Sequence, residues 1–162
     1  MKKVFILTIA LLAAGATVIT SCKKHVTEHE ENFPHSNVKS MEVSVAQSEW
    51  SGGTGGYEAT KTLSILSADI ASNGAVMCYW KTNGEYVAMP LTYSTGTWVS
   101  HMLFSHTSSA VTFISYDDDN LSPNPGFQTF KVVTISHTGL IQNPNLDLTD
   151  YKAVKDAFNL VD

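Results

Sequence analysis

Hydrophobic and polar positions divide the chain into three regimes. From Val4 to Ser21, behind Lys2 and Lys3, no residue carries a charge. Residues 23–36, KKHVTEHEENFPHS, are charged, contain one proline and show no apolar period, which is the pattern of a solvated linker. From Asn37 onward apolar residues return every second position, the period of a half-buried strand. Met41, Val43 and Val45 alternate with Glu42 and Ser44, and Tyr57, Ala59, Leu63 and Ile65 continue the alternation over 57–66. Between these two strands lies Ser51-Gly52-Gly53-Thr54-Gly55-Gly56, expected to be a flexible connection. Asp69 to Gly74 supplies the next expected turn.

The segment 74–92 has the strongest local signal. Two apolar runs flank Asn83-Gly84, whose residue types tolerate the positive φ that both central positions of a type I′ turn need. A two-residue loop pairs Thr82 with Glu85, Trp80 with Val87, Cys78 with Met89 and Val76 with Leu91, the last three pairs on one face. That face is expected to be core. The opposite one, with Tyr79, Lys81 and Tyr86, is expected to be partly wet, and Pro90 marks an edge because it cannot donate to a ladder. A second hairpin joins 97–106 to 109–117 through Thr107-Ser108, setting Phe104 against Val111 and Met102 against Phe113. Phe127 to Ser136 is a β-branched strand whose polarity assigns no face. After Asn143-Pro144-Asn145, Tyr151, Val154, Ala157 and Phe158 recur at helical spacing, with Thr149 or Asp147 as cap and Asp150 at the positive end, so a helix is expected over 149–160.

Seven or eight short strands, tight turns and one terminal helix predict an all-β fold, an antiparallel β-sandwich with a short C-terminal helix. It forms a single domain over 37–162, preceded by a signal over 1–22 and a tether over 23–36. A positive start, an apolar middle and small residues at the cut make the first segment a secretory signal. Its competitor is an uncleaved membrane anchor, since the uncharged run is 18 residues long. The end of the run, Ile19-Thr20-Ser21-Cys22, resembles the lipobox of bacterial lipoproteins. That resemblance implies cleavage before Cys22 and more than one acyl chain on it, and several chains anchor where one does not. With Lys23 behind the cysteine, it also implies the outer membrane, on its periplasmic face or at the cell surface. The phrases Asn73-Gly74-Ala75-Val76 with Tyr79-Trp80, Met89-Pro90-Leu91, Phe130 to Ile135 and Asp150 to Val154 resemble a group of small envelope lipoproteins. The likeness spans most of 40–160 and supplies no catalytic residues.

Composition narrows the chemistry. The formal charge is −5, and the chain holds no arginine. An acidic, arginine-free chain is poorly equipped for bidentate phosphate binding or for a nucleic-acid backbone, so nucleic acid is excluded as a partner. With Cys22 committed to lipid, Cys78 has no intramolecular partner, and a disulfide framework is excluded. Core packing is the expected use of Cys78, with a catalytic thiol as the alternative.

No phosphate loop, zinc-protease motif or serine-hydrolase elbow is present. His25, His29 and His35 in the tether fix no metal geometry. His101 and His106, an odd number of residues apart, point to opposite sides of a regular strand. In 117–126, Asp117, Asp119 and Leu121 fall on the first, third and fifth places of the calcium-loop template, which therefore fails. Metal ligands, cofactors and catalytic residues are assigned to none of these positions. Glu49 and Glu58, flanking the glycine-rich stretch, are the weak case for a hydrolase. The remaining expectation is a lipid-anchored envelope protein with a structural or interaction role, whose partners are the membrane through Cys22 and an envelope protein or glycan. Its alternative is a glycan- or peptide-binding module using exposed aromatics. Trp50, Tyr57 and Trp98 are the candidate ligand-binding residues, with Tyr93 and Tyr116 as further aromatics near turns, and Trp80 is assigned to the core.

Overall fold

A computed structural model describes residues 37–161 apart from Thr54, Thr95 and Asn120; the expected leader, Cys22 and the tether lie outside the described residues. The chain runs β1 (Val38–Val45), a 3-10 turn (Gln47–Glu49), β2 (Ser51–Gly53), β3 (Gly56–Thr62) and α1 (Ala68–Asn73). It continues through β4 (Ala75–Thr82), β5 (Glu85–Ala88), β6 (Leu91–Ser94), β7 (Val99–His106), β8 (Ala110–Asp117) and β9 (Gln128–Ile135). Two helices close it, α2 (His137–Gln142) and α3 (Tyr151–Phe158). The strands form two antiparallel sheets, a four-stranded one in the order β1-β9-β4-β5 and a five-stranded one in the order β2-β3-β8-β7-β6. The expected all-β sandwich is the fold.

The inner faces meet over a continuous apolar core. Val43 and Val45 from β1, Val76 and Cys78 from β4, and Phe130 and Val132 from β9 oppose Ala59 from β3, Met102 from β7, and Val111 and Phe113 from β8. At the centre Phe113 and Phe130 stack across the two sheets with ring centroids 3.9 Å apart and planes within 9°. Trp50 meets the edge of Phe130 at 6.5 Å.

The outer face of the four-stranded sheet carries a second core. Val38, Tyr79, Val133 and Ile135 are buried there under Tyr151, Val154 and Phe158 of α3, with Leu140, Leu146 and Leu148 packed around them. The Tyr79 hydroxyl donates to the carbonyl of Leu148 at 2.7 Å. Buried Lys131 donates from Nζ to the carbonyl of Val161 at 2.9 Å, tying the last described residue to β9. The face of β4 expected to be partly wet is covered at Tyr79 by the C-terminal segment, while Lys81 at its far end stays exposed. This also explains why β9 assigns no face by polarity: it is central and buried on both sides, and its one charge is spent holding the chain end.

The Asn83-Gly84 turn forms as its chemistry requires, with φ of 52° and 84°. Thr82, Lys81, Trp80 and Tyr79 face Glu85, Tyr86, Val87 and Ala88. Beyond Met89 the expected pairing ends. The chain leaves one sheet for the other at Pro90, so Leu91 faces Met102 and Val76 faces Thr134. The second hairpin keeps its expected faces with a shifted register. The Thr107 N–H donates to the Ala110 carbonyl at 2.8 Å, lengthening the loop, so Phe104 faces Phe113 and Met102 faces Ser115.

Two expectations of irregular chain are corrected. The glycine-rich stretch is a hairpin, β2 with β3, and not a flexible connection. Residues 68–73 are a helix, because the Ser67 hydroxyl accepts from the Ile70 N–H and caps it. Helix α2 is likewise begun by a serine, Ser136, whose hydroxyl accepts from Gly139 N–H. Helix α3 is capped by Asp150, and not by Thr149 or Asp147.

Candidate functional site

Of the aromatic residues singled out in the sequence, Tyr57 and Tyr116 meet at one groove and the tryptophans lie elsewhere. Trp50 is only 6% exposed, its Nε1 donating to the carbonyl of Gly126 at 2.8 Å, so it is a core residue and not a binding platform. Trp98 is exposed at 38%, but it precedes β7 on the far side of the five-stranded sheet from Tyr57. Tyr57 packs partly against the inner core and also lines, with its neighbours, a groove beside the β2–β3 hairpin. Trp80, assigned to the core, is half-buried: it packs on Tyr93 with ring centroids 5.2 Å apart and planes tilted by 33°, and donates from Nε1 to the Gln128 amide oxygen at 2.7 Å.

Other candidates are engaged internally. Glu49 accepts from Lys61 Nζ and from the backbone of Ala46, which lowers its carboxyl below the usual range and leaves it holding the 3-10 turn. In the acidic loop, Asp117 is buried and its N–H donates to Ser122 Oγ at 2.7 Å, while Asp119 accepts from the Leu121 N–H at 2.9 Å. Asp118 turns instead to His101. Among the described residues no group of three or more His, Cys, Asp or Glu can hold a metal ion.

Cys78 is fully buried, and burial pushes its thiol well above the ordinary value of 9.0. Tyr79 beside it is raised from 10.0 for the same reason, with nearby acidic groups adding to the effect. Both groups are neutral in the fold over a range where the unfolded chain ionises. The stability they contribute is full below about pH 9 and is lost as pH rises from there. Urea midpoints should therefore hold to about pH 9 and fall from there to about pH 10.5, and native Cys78 should resist thiol reagents at about pH 8 until the chain unfolds. Rapid labelling of the native chain would contradict the buried placement.

The two outer faces differ. While the four-stranded sheet is covered, Val99, Leu103, Ile114 and Tyr116 on the outer face of the five-stranded sheet are half-exposed and belong to neither apolar core. At one side of this face the β2–β3 hairpin and β8 enclose an open groove of about 390 Å³. Its lining includes Ser51, Gly55, Tyr57, Glu58, Ile114 and Tyr116. A Cβ on Gly56 would lie 2.9 Å from Tyr116 Cβ, so the glycine is what lets the hairpin close against that ring. On the other side of β8, His101 stacks on Tyr116 with centroids 4.6 Å apart and planes 15° from parallel. His101 Nε2 donates to Asp118 Oδ1 at 2.7 Å, and Nδ1 lies 3.0 Å from Thr92 Oγ1.

A larger groove of about 580 Å³ lies between β5 and α3, lined in part by Lys81, Lys152 and Lys155. Two of its lysines are turned to carboxylates, Lys81 to Glu42 at 3.2 Å and Lys152 to Asp156 at 2.6 Å. Among the described residues no helix is long and apolar enough to cross a membrane.

No family model, curated protein or solved structure matches the chain. The class that the fold itself defines is an antiparallel β-sandwich with a helical cover on one sheet and an open outer face on the other.

Proposed function

We propose that this chain is a lipid-anchored envelope protein, cleaved before Cys22 and held by acyl chains on that cysteine, whose sandwich works as a non-catalytic interaction module. The observation that carries the interaction reading is the asymmetry of the outer faces. The chain spends its C-terminal residues sealing one sheet and leaves Val99, Leu103, Ile114 and Tyr116 half-exposed in a row on the other. Contiguous apolar surface rimmed by polar residues marks an interaction site. The Glu58 and Thr60 side chains, and Thr92 across the sheet, provide that rim. Ile19-Thr20-Ser21-Cys22 and the charged tether support the address.

Alkyne-palmitate labelling of cells tests the anchor. Label is expected on the wild-type chain in the membrane fraction and absent from Cys22→Ala, while an intact leader or an unlabelled mature chain would overturn it. A photoreactive residue placed at Leu103 is expected to give a discrete adduct in intact cells, and one at Asp156, on α3, none. Equal behaviour at the two positions would overturn the interaction reading.

A further inference from the structure

We infer that the groove between the β2–β3 hairpin and Tyr116 binds a neutral glycan, an assignment that rests on the interaction reading and names its ligand class. Tyr116 is the wall on which a sugar ring would stack. Strand order places His101 on β7 and the groove on the β3 side of β8, so one face of the Tyr116 ring is covered by the imidazole and the other is turned to the groove. The imidazole is held at both nitrogens, by Asp118 and by Thr92, so the phenol ring is oriented before any ligand arrives. Such preorganisation lowers the ordering cost of binding.

The opposite wall is bare backbone. Positive φ or a close approach explains most of the described glycines: Gly52, Gly56, Gly84, Gly96 and Gly126 have positive φ, and a Cβ on Gly74 or Gly139 would strike a neighbour. Gly53 and Gly55 have neither reason, since a Cβ on either meets nothing within 4 Å. Gly55 lines the groove and Gly53 sits on the same hairpin, where missing side chains leave room for a ligand to reach the main chain. Ser51 and Glu58 stand beside this bare wall and add a hydroxyl and a carboxylate, the polar groups that fix the orientation of a polyhydroxylated ligand.

Charge and shape select the class. The groove lining contains no lysine, and Glu58 is its only charged member, so a phosphorylated or uronic-acid ligand is disfavoured. A volume of about 390 Å³ lies at the small end of ligand pockets. The open side lets a chain lie across it. A peptide adding as a strand would use the edge β2, but that edge is three residues long, too short to direct a pairing register.

The test is calorimetric titration of the full chain in detergent with cellohexaose, maltohexaose and mannohexaose, with hexagalacturonate as the charged comparator. At least one neutral hexasaccharide is expected to bind, and more tightly than the uronate. Tyr116→Ala is expected to weaken that binding about tenfold or more, the scale of losing one aromatic stacking contact. Because Tyr116→Ala can also loosen the sheet, Glu58→Gln is the second variant, expected to weaken binding with an unchanged melting temperature. His101→Ala should weaken binding as well, and His101→Phe, which keeps a ring against Tyr116, should restore it. No binding of any neutral hexasaccharide, preference for the uronate, or full affinity in both Tyr116→Ala and Glu58→Gln would overturn the assignment. Silence of all the sugars together with a discrete Leu103 adduct removes the glycan and keeps the interaction module; loss of both removes the two readings together.

Discussion

Phe130→Ala is expected to be the most damaging conservative truncation in the chain. Its ring has no exposed surface and is shared by both halves of the inner core, stacked face to face on Phe113 at 3.9 Å and met at its edge by Trp50. It also sits on the central strand β9, with Val43 of β1 opposite it on one side and Trp80 of β4 on the other. No neighbouring side chain can move into the space without leaving its own sheet position. Phenylalanine-to-alanine changes in such places cost about 3–5 kcal/mol, against a total stability of about 5–15 kcal/mol for a domain. Urea denaturation should show a midpoint lowered by a third or more with an unchanged slope. A loss below about 1 kcal/mol would mean that the two sheets do not close on this ring.

Val154→Asp is expected to act on the other core, and differently. Val154 is fully buried against the outer face of the four-stranded sheet. A carboxylate there is taken out of water among apolar side chains, which costs several kcal/mol. The helix that carries it is eight residues long and marginal alone, so undocking is the cheapest escape. Undocking would uncover Tyr79, Val133 and Ile135 while leaving the Phe113–Phe130 core in place. The expected result is a hydrophobic dye signal under native conditions and trypsin cleavage at Lys152 or Lys155, with the far-ultraviolet sheet spectrum retained. A chain as protease-resistant as wild type would contradict the packing of α3 on the sheet.

The pattern of apolar positions was most informative where structure is decided locally. The Asn83-Gly84 turn and the inward faces of β1, β7 and β8 follow from residue types a few positions apart. Sheet exchange at Pro90 is a tertiary event. The sequence marks the proline, but a strand continuing to Leu91 has the same alternation in either sheet. The capped six-residue helices α1 and α2 are too short to display a period and announce themselves only through Ser67 and Ser136. Trp50 was misread because glycines after a tryptophan resemble an exposed tip; its burial depends on Gly126, which lies 76 positions away. The groove residues were visible in other roles: Tyr116 as one of several aromatics, Glu58 as half of a hydrolase pair, His101 as a failed metal ligand. What joins them is the strand order β3-β8-β7, which no local pattern contains.

Underneath both proposals lies one structural claim: one outer face of the sandwich is sealed and the other is open. Hydroxyl-radical footprinting of the intact chain, read residue by residue by mass spectrometry, tests it directly. The account predicts oxidation of Leu103, Ile114, Tyr116 and Trp98, with Trp50, Tyr79, Tyr151 and Phe158 protected. Modification of Tyr79 and Phe158 in the native chain, or protection of Leu103, Ile114 and Tyr116, would contradict it.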